Sequence, residues 1–192
     1  MCCAGSRLLV SEAIAEPLLE RLRTRIETLR VGDPLDKNTD VGAINSKAQF
    51  DRIQHYLDIG REEGATVWQG GSAAPTTGYF CRPTLLTDVA QSHRVVQEEI
   101  FGPVLTVQTF RTFAEAQAKA NNTPYGLSGG VWTDKGSRIF NMTRQLNAGG
   151  VWANTFNKFD PTSPFGGFKE SGVDLEGRMH RLSAYLKAEA MV

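Results

Sequence analysis

Segments with a helical repeat and segments with an extended pattern take turns along almost the whole chain, and this alternation limits the possible folds more than any other feature. Ile14, Leu18, Leu22, Ile26 and Leu29 recur at spacings of three and four and predict a helix over roughly Ser11 to Arg30. Ser11 is its expected N-cap, and Pro17 is expected to kink the helix or delay its regular part to near Glu16. Val31-Gly32-Asp33-Pro34 breaks it. Phe50, Ile53 and Leu57 predict a second helix ending near Gly64, and Val67-Trp68 a short strand closed by Gly70-Gly71. Gly78 to Leu86 reads as extended, with Pro83 pointing to an edge or irregular strand. A β-rich run over Val104 to Phe110, a short helix over Ala114 to Ala120 and a small-residue strand over Gly129 to Thr133 follow. Ile139, Met142 and Leu146 predict a helix, Gly150 to Asn154 a strand, and Leu175, Met179, Leu182 and Leu186 a last helix. Such alternation predicts a layered α/β fold with a mostly parallel sheet, organised as one domain over residues 1–192.

Composition narrows the classes. Lys+Arg and Asp+Glu both number 21, so no basic excess points to nucleic acid or an anionic membrane. No apolar run approaches the ~18 residues that span a bilayer. The first residues resemble neither a signal peptide nor, with Cys2 after Met1, an N-myristoylation site. The three cysteines, Cys2, Cys3 and Cys81, form no spaced framework, which argues for a reducing, cytoplasmic compartment. Cys2 and Cys3 are expected to point apart, so that a bridge between them would be strained. His55, His93 and His180 are scattered and read as surface or satisfied polar positions, and no Cys/His spacing suits a metal.

The segments that carry chemistry begin with Cys2-Cys3-Ala4-Gly5-Ser6-Arg7. A thiolate attacks a carbonyl carbon well, and small neighbours let main-chain N–H groups approach a developing oxyanion. By themselves two adjacent cysteines are equally two small buried residues. Four further segments follow in order: Glu98-Glu99-Ile100-Phe101-Gly102-Pro103-Val104, Asn121-Asn122-Thr123-Pro124-Tyr125-Gly126-Leu127-Ser128, Gly149-Gly150-Val151-Trp152-Ala153-Asn154, and Ser163-Pro164-Phe165-Gly166-Gly167-Phe168-Lys169-Glu170-Ser171-Gly172. Together the five segments resemble those of the aldehyde dehydrogenase superfamily, in its catalytic domain, over nearly the whole chain.

The resemblance implies a three-layer α/β/α catalytic domain and assigns roles. Cys2 matches the catalytic thiol and Cys3 its non-catalytic neighbour. Glu99 matches the carboxylate that accepts hydrogen bonds from the nicotinamide ribose, and Phe101 the ring beside that ribose and the nicotinamide. Asn154 matches a position near the thiol, or is a strand-end turn residue. Phe159 and Phe165 match the aromatic lining of the substrate tunnel, or serve the core alone. Gly166 and Gly167 read as backbone necessities, and Lys169 as a structural ion-pair partner rather than a catalyst.

The chemistry implied is oxidation of a small-molecule aldehyde to a carboxylic acid through a cysteine thiohemiacetal and thioester, with NAD or NADP as cofactor. In the family the dinucleotide-binding domain, the general-base glutamate and the oxyanion-hole asparagine precede the thiol. In the family a strand that pairs subunits follows the segment matched by Ala184-Tyr185-Leu186, and most of that strand is expected to be missing from residues 1–192. Residues 1–192 alone are therefore expected to turn over negligibly, and to self-associate or dock with full-length subunits. Two other classes stay open. One is a cofactor-independent thiol esterase. The other is a non-catalytic remnant that interacts with full-length subunits. Separately, a neighbouring terminal amine is expected to favour the Cys2 thiolate, and to serve as a local base if Met1 is removed.

Overall fold

The computed structural model describes residues 1–172 and 175–177, with only the main chain at Leu175 and Glu176. The chain divides into two compact units, one of Ser6–Lys119 and one of Met1–Gly5 with the residues from Ala120 onward.

In the Ser6–Lys119 unit the elements run β1 (Arg7–Ser11), a 3-10 turn (Glu12–Ile14), α1 (Ala15–Glu27), α2 (Lys47–Glu62), β2 (Thr66–Gln69), β3 (Thr84–Thr87), α3 (Arg94–Gln97), β4 (Val104–Phe110) and the start of α4 (Phe113–Asn121). One open sheet forms in the order β1-β4-β3-β2. β4 pairs in parallel with β1 and with β3, and only β2 is antiparallel. Successive side chains of β4 point to opposite faces. Val104 therefore joins a core with Ile53, Leu57, Leu86, Val95, Val96 and Ile100, contributed in part by α2 and α3. Leu105 and Val107 join a core with Val10, Ala15, Leu18 and Leu19, contributed in part by α1. Helices on both faces of a mostly parallel sheet make the α/β fold, in three layers, that the alternation and the motifs predict.

Three local departures have clear causes. Ser11 ends β1 and makes no side-chain cap; a 3-10 turn intervenes and α1 begins at Ala15, which puts Pro17 in the first turn where its missing N–H costs nothing. β3 is an interior strand, not an edge: Pro83 sits one residue ahead of it, outside the ladder. β1 and the four-residue α3 are too short for their periodicity to be read. The second predicted helix stands as α2, with Ser46 Oγ accepting from Gln49 N–H at 3.2 Å and Gly64 at φ 91° just past its end.

The other unit contains β5 (Tyr125–Gly126), β6 (Ser128–Val131), α5 (Gly136–Gln145), β7 (Gly150–Ala153), β8 (Phe165–Gly166), β9 (Phe168–Lys169) and β10 (Leu175–Glu176). β6 and β7 pair in parallel with α5 as the crossover, and β5 with β9 and β8 with β10 are antiparallel. Leu175, expected in the last helix, lies in β10; Met179, Leu182 and Leu186 fall outside the described residues. Asn121 clamps the return from α5: its Nδ2 donates to Gln145 C=O and its Oδ1 accepts from Asn147 N–H, both at 2.8 Å.

Candidate functional site

Cys2 and Cys3 occupy the corner of a tight turn closed by Ala4 N–H donating to Met1 C=O at 3.2 Å. Cys2 is exposed and Cys3 is buried, 3% exposed. The sulfurs do not point apart, as expected from two adjacent side chains; the turn brings them to 3.5 Å. Burial, then the hydrogen bond and charge of Cys2, push the Cys3 thiol up to about 11. Cys3 is thus held as an S–H beside a sulfur that solvent can reach.

The turn is tied to the β6–β7 pair. Ser128 Oγ donates to Cys3 C=O at 3.5 Å, and Asn157 Nδ2 contacts Met1 Sδ at 3.4 Å. Gly5 lies against Phe156, whose ring is 3.7 Å from where a Cβ would stand. From Phe156 a ladder of rings runs outward: Trp132 stacks on it with centroids 5.9 Å apart, and Trp152 meets it at 5.0 Å. Trp152 then meets Phe159 edge-on at 5.3 Å, and Phe159 meets Phe165 at 4.9 Å and 90°. Trp152 is oriented by its Nε1–H donating to Lys158 C=O at 2.8 Å. The two aromatic candidates, Phe159 and Phe165, are therefore joined to the thiol turn through Trp152 and Phe156. The latter two were not singled out by sequence; Phe156 and Phe159 in one short loop after an aromatic strand were the available signal.

Asn154 ends β7 in the left-handed region at φ 52°. Its Oδ1 accepts from Thr133 N–H at 2.9 Å and its Nδ2 donates to Thr133 C=O at 3.0 Å. Both amide atoms are spent on joining the ends of β6 and β7. The Pro-Phe-Gly-Gly loop is stitched to the Asn121–Gly126 turn: Glu170 N–H donates to Pro124 C=O at 3.1 Å, and Gly126 N–H to Ser171 Oγ at 3.0 Å. Gly167 has Ser171 Cβ 2.7 Å from its would-be Cβ, and Gly149 faces the Gly166 carbonyl oxygen too closely for any side chain. Lys169 is structural, but its partners are the carbonyls of Asn121 and Thr123, at 2.9 and 3.0 Å, rather than a carboxylate.

Glu99 and Phe101 lie in the Ser6–Lys119 unit, on the turn between α3 and β4. α2 holds that turn from beneath. Arg52 donates to Glu99 C=O at 2.8 Å, and Gln49 Nε2 donates to the carbonyls of Ile100 and Phe101 at 2.9 and 3.0 Å. Ile100 is buried while Glu99 is exposed and Phe101 is 51% exposed, its main chain at φ 57°. The Glu99 carboxylate takes no hydrogen bond or ion pair among the described residues. Glu98 beside it is the anchored acid. The Arg94 guanidinium and then the Tyr56 hydroxyl, which donates at 2.6 Å, hold its carboxyl down to about 2. Gln49, Arg52 and Tyr56 form a polar stripe at helical spacing on α2, the signal by which these supports are legible in sequence.

Residues 1–191 match the aldehyde dehydrogenase family. The chain belongs to that family. It is 44% identical over 190 residues to an aldehyde dehydrogenase of Aspergillus niger, covering 99% of this chain and 38% of the relative. It is 41% identical over 197 residues to aldehyde dehydrogenase B of Escherichia coli, covering 100% of this chain and 38% of the relative. Betaine aldehyde dehydrogenase of Staphylococcus aureus in complex with NAD+ superposes with a TM-score of 0.93 at 35% identity, covering 97% of this chain and 38% of that one. The chain thus spans about two fifths of the length of the relatives it matches. No described helix is long and apolar enough to cross a membrane.

Proposed function

We propose that these residues form the thiol-bearing catalytic part of an NAD(P)-dependent aldehyde dehydrogenase that oxidises a small-molecule aldehyde to a carboxylic acid. The observation that carries the reading is Cys2: an exposed thiol at a turn corner, one residue from a buried thiol and backed by the aromatic ladder that ends in Phe159 and Phe165. The Cys2 sulfur adds to the aldehyde carbon to give a thiohemiacetal, and after oxidation the acyl group is carried as a Cys2 thioester until water releases the acid. The main-chain N–H of Cys2, which has no partner among the described residues, faces the developing oxyanion as one donor. Phe159 and Phe165 line the approach of the aldehyde's apolar part. Asn154 acts as a positioning residue that keeps the strand ends of β6 and β7 together under the ladder.

Glu99 and Phe101 fit a nicotinamide dinucleotide. An exposed carboxylate without a partner among the described residues offers two acceptor oxygens to a vicinal diol, and a half-exposed ring offers a flat apolar face. When bound, that cofactor supplies the hydride acceptor for the redox step. A polypeptide limited to these residues spans about 38% of the length of the relatives it matches. A missing oxyanion donor alone costs about 2.7–4 kcal/mol of transition-state stabilisation. Such a polypeptide is expected to show negligible aldehyde-dependent reduction of NAD+ or NADP+. Free thiols at Cys2, Cys3 and Cys81 suit a reducing compartment such as the cytoplasm.

The test uses an activated ester, whose attack by a thiol needs no nicotinamide. Incubation with 4-nitrophenyl acetate should place one acetyl group on Cys2, read by peptide mass, and Cys2→Ala should abolish it while Cys3→Ser keeps it. Acylation on Cys3 or Cys81, or none, would remove Cys2 from its role. Sustained hydrolysis with many turnovers would favour the cofactor-independent esterase instead.

A further inference from the structure

Side chains alternate between the two faces of a strand, which places Ser128, Gly130 and Trp132 on one side of β6. The parallel register with β7 sets Gly150 beside Ser128 and Trp152 beside Gly130 on that same side. This face carries the thiol turn. At one end Ser128 Oγ donates to Cys3 C=O at 3.5 Å. Further along, Gly130 leaves a gap that the Phe156 ring fills: a Cβ there would stand 2.8 Å from Phe156 Cδ2 and 3.0 Å from its Cε2. Trp132 and Trp152 pack on the ring, with centroids 5.9 and 5.0 Å away. The tip of the ring, Cζ, meets Gly5, 3.7 Å from where a Cβ would stand. We propose that Phe156 is a positioning residue for Cys2: seated in the Gly130 gap, its ring is the platform that fixes Gly5, and with it the turn that aims the Cys2 thiol and main-chain N–H.

This role rests on the reading of Cys2 as the carbonyl-attacking thiol. Gly5 has no side chain with which to hold the exit of the turn, and glycine is the most permissive backbone residue. Two other ties on the turn are weak: the Ser128 bond is long for a hydroxyl donor, and Asn157 reaches Met1 through sulfur at 3.4 Å. A ring packed against two indoles offers a rigid surface in van der Waals contact. Attack on an ester carbonyl needs the sulfur and the N–H together, because the oxyanion must form where the N–H points. The thiolate sulfur adds to the acetyl carbon of 4-nitrophenyl acetate, and 4-nitrophenolate leaves. A misplacement of about 1 Å costs up to about 100-fold in such geometry. Alkylation by iodoacetamide needs the sulfur alone: it adds to the methylene carbon, iodide leaves, and no oxyanion develops. The two reactions therefore separate the aim of Cys2 from its exposure.

The test measures, on the full chain and its variants, the rate constants of Cys2 acetylation by 4-nitrophenyl acetate and of Cys2 alkylation by iodoacetamide. Fragmentation of the tryptic peptide Met1–Arg7 assigns each product to its cysteine, and far-UV circular dichroism checks folding. Phe156→Ala is expected to slow acetylation at least about tenfold and to leave alkylation within about twofold. Phe156→Leu keeps apolar bulk over Gly130 but withdraws Cζ from Gly5, and should show the same split. Gly130→Ala keeps the ring but pushes it off its seat, and should show it too. Should Phe156→Ala fail to fold, the other two variants decide. Acetylation at the unsubstituted rate in a folded Phe156→Leu or Gly130→Ala chain overturns the platform and leaves Cys2 its role. So does a parallel fall or rise of both rates, which would mark a change of access rather than of aim. Absence of Cys2 acetylation in the unsubstituted chain removes the reading of Cys2, and the role of Phe156 with it.

Discussion

The turn that carries Glu99 and Phe101 should be sensitive to a single methyl group at Gly102, and the sensitivity should be cancelled by a second substitution. A Cβ at Gly102 would stand 2.6 Å from Ile53 Cδ1 and 2.7 Å from Ile53 Cγ1. Ile53 is fully buried in the α2–α3 side of the core, and its β-branched side chain has little freedom to turn away. Gly102 is not in the left-handed region, so alanine is not forced to a positive φ there. Restricting the unfolded chain contributes about 0.4–1 kcal/mol in favour of Gly102→Ala. Overpacking against Ile53 costs about 1–3 kcal/mol, so the net loss should be about 1–2 kcal/mol. Ile53→Ala alone should cost about 2–5 kcal/mol, through lost burial and a cavity. In the double variant the new methyl occupies part of that cavity, and Gly102→Ala should become neutral or stabilising. Urea unfolding of the four chains followed by far-UV circular dichroism measures the cycle, provided the denaturant dependence is the same in all four. A coupling of about 1–3 kcal/mol is expected. Losses that add within about 0.5 kcal/mol would show that Ile53 is not the wall behind Gly102.

Two further outcomes follow from particular bonds. Asn154→Ala should cost about 2–4 kcal/mol, by forcing alanine to a left-handed φ and removing two hydrogen bonds to Thr133; Asn154→Gly should recover about 1 kcal/mol of this, and equal losses in the two variants would refute the backbone part. Glu98 is held below its unfolded value by Arg94 and Tyr56, so its contribution is present above about pH 4.5 and lost as pH falls toward about 2. With the side chain 38% exposed, screening limits that contribution to about 1 kcal/mol, and Glu98→Gln should flatten the acid side of a stability–pH profile by that amount. An unchanged profile would show that the pair contributes nothing.

Much of the fold was legible because its signals are local. The apolar stripe of α2, the β-branched run of β4 and the small-residue strand β6 each declare themselves within a few residues. Where tertiary placement decides, local signals mislead. Pro83 suggested an edge or irregular strand, yet it lies one residue ahead of an interior strand and costs that ladder no donor. Leu8-Leu9-Val10 is too short a run to reveal β1, which depends on pairing with β4 almost a hundred residues away. For the candidates Cys2, Glu99, Phe101, Asn154, Phe159 and Phe165, the resemblance offers positions in the sequence. What each side chain touches is non-local and could not be read: the turn that brings Cys2 and Cys3 together, the Thr133 clamp on Asn154, and the rings of Trp152 and Phe156 that connect the thiol turn to Phe159.

The central claim is that Cys2 is the carbonyl-attacking thiol of an aldehyde dehydrogenase catalytic unit. The most direct measurement is a chimera in which the part of the Aspergillus niger relative that precedes its match to this chain is joined to residues 1–192. Aldehyde-dependent reduction of NAD+ or NADP+ by the chimera, lost at least about 1,000-fold in Cys2→Ser with nucleotide binding retained, is the predicted result. A chimera that binds nucleotide but turns over equally well with Cys2→Ser, or whose activity follows Cys3 instead, would contradict it.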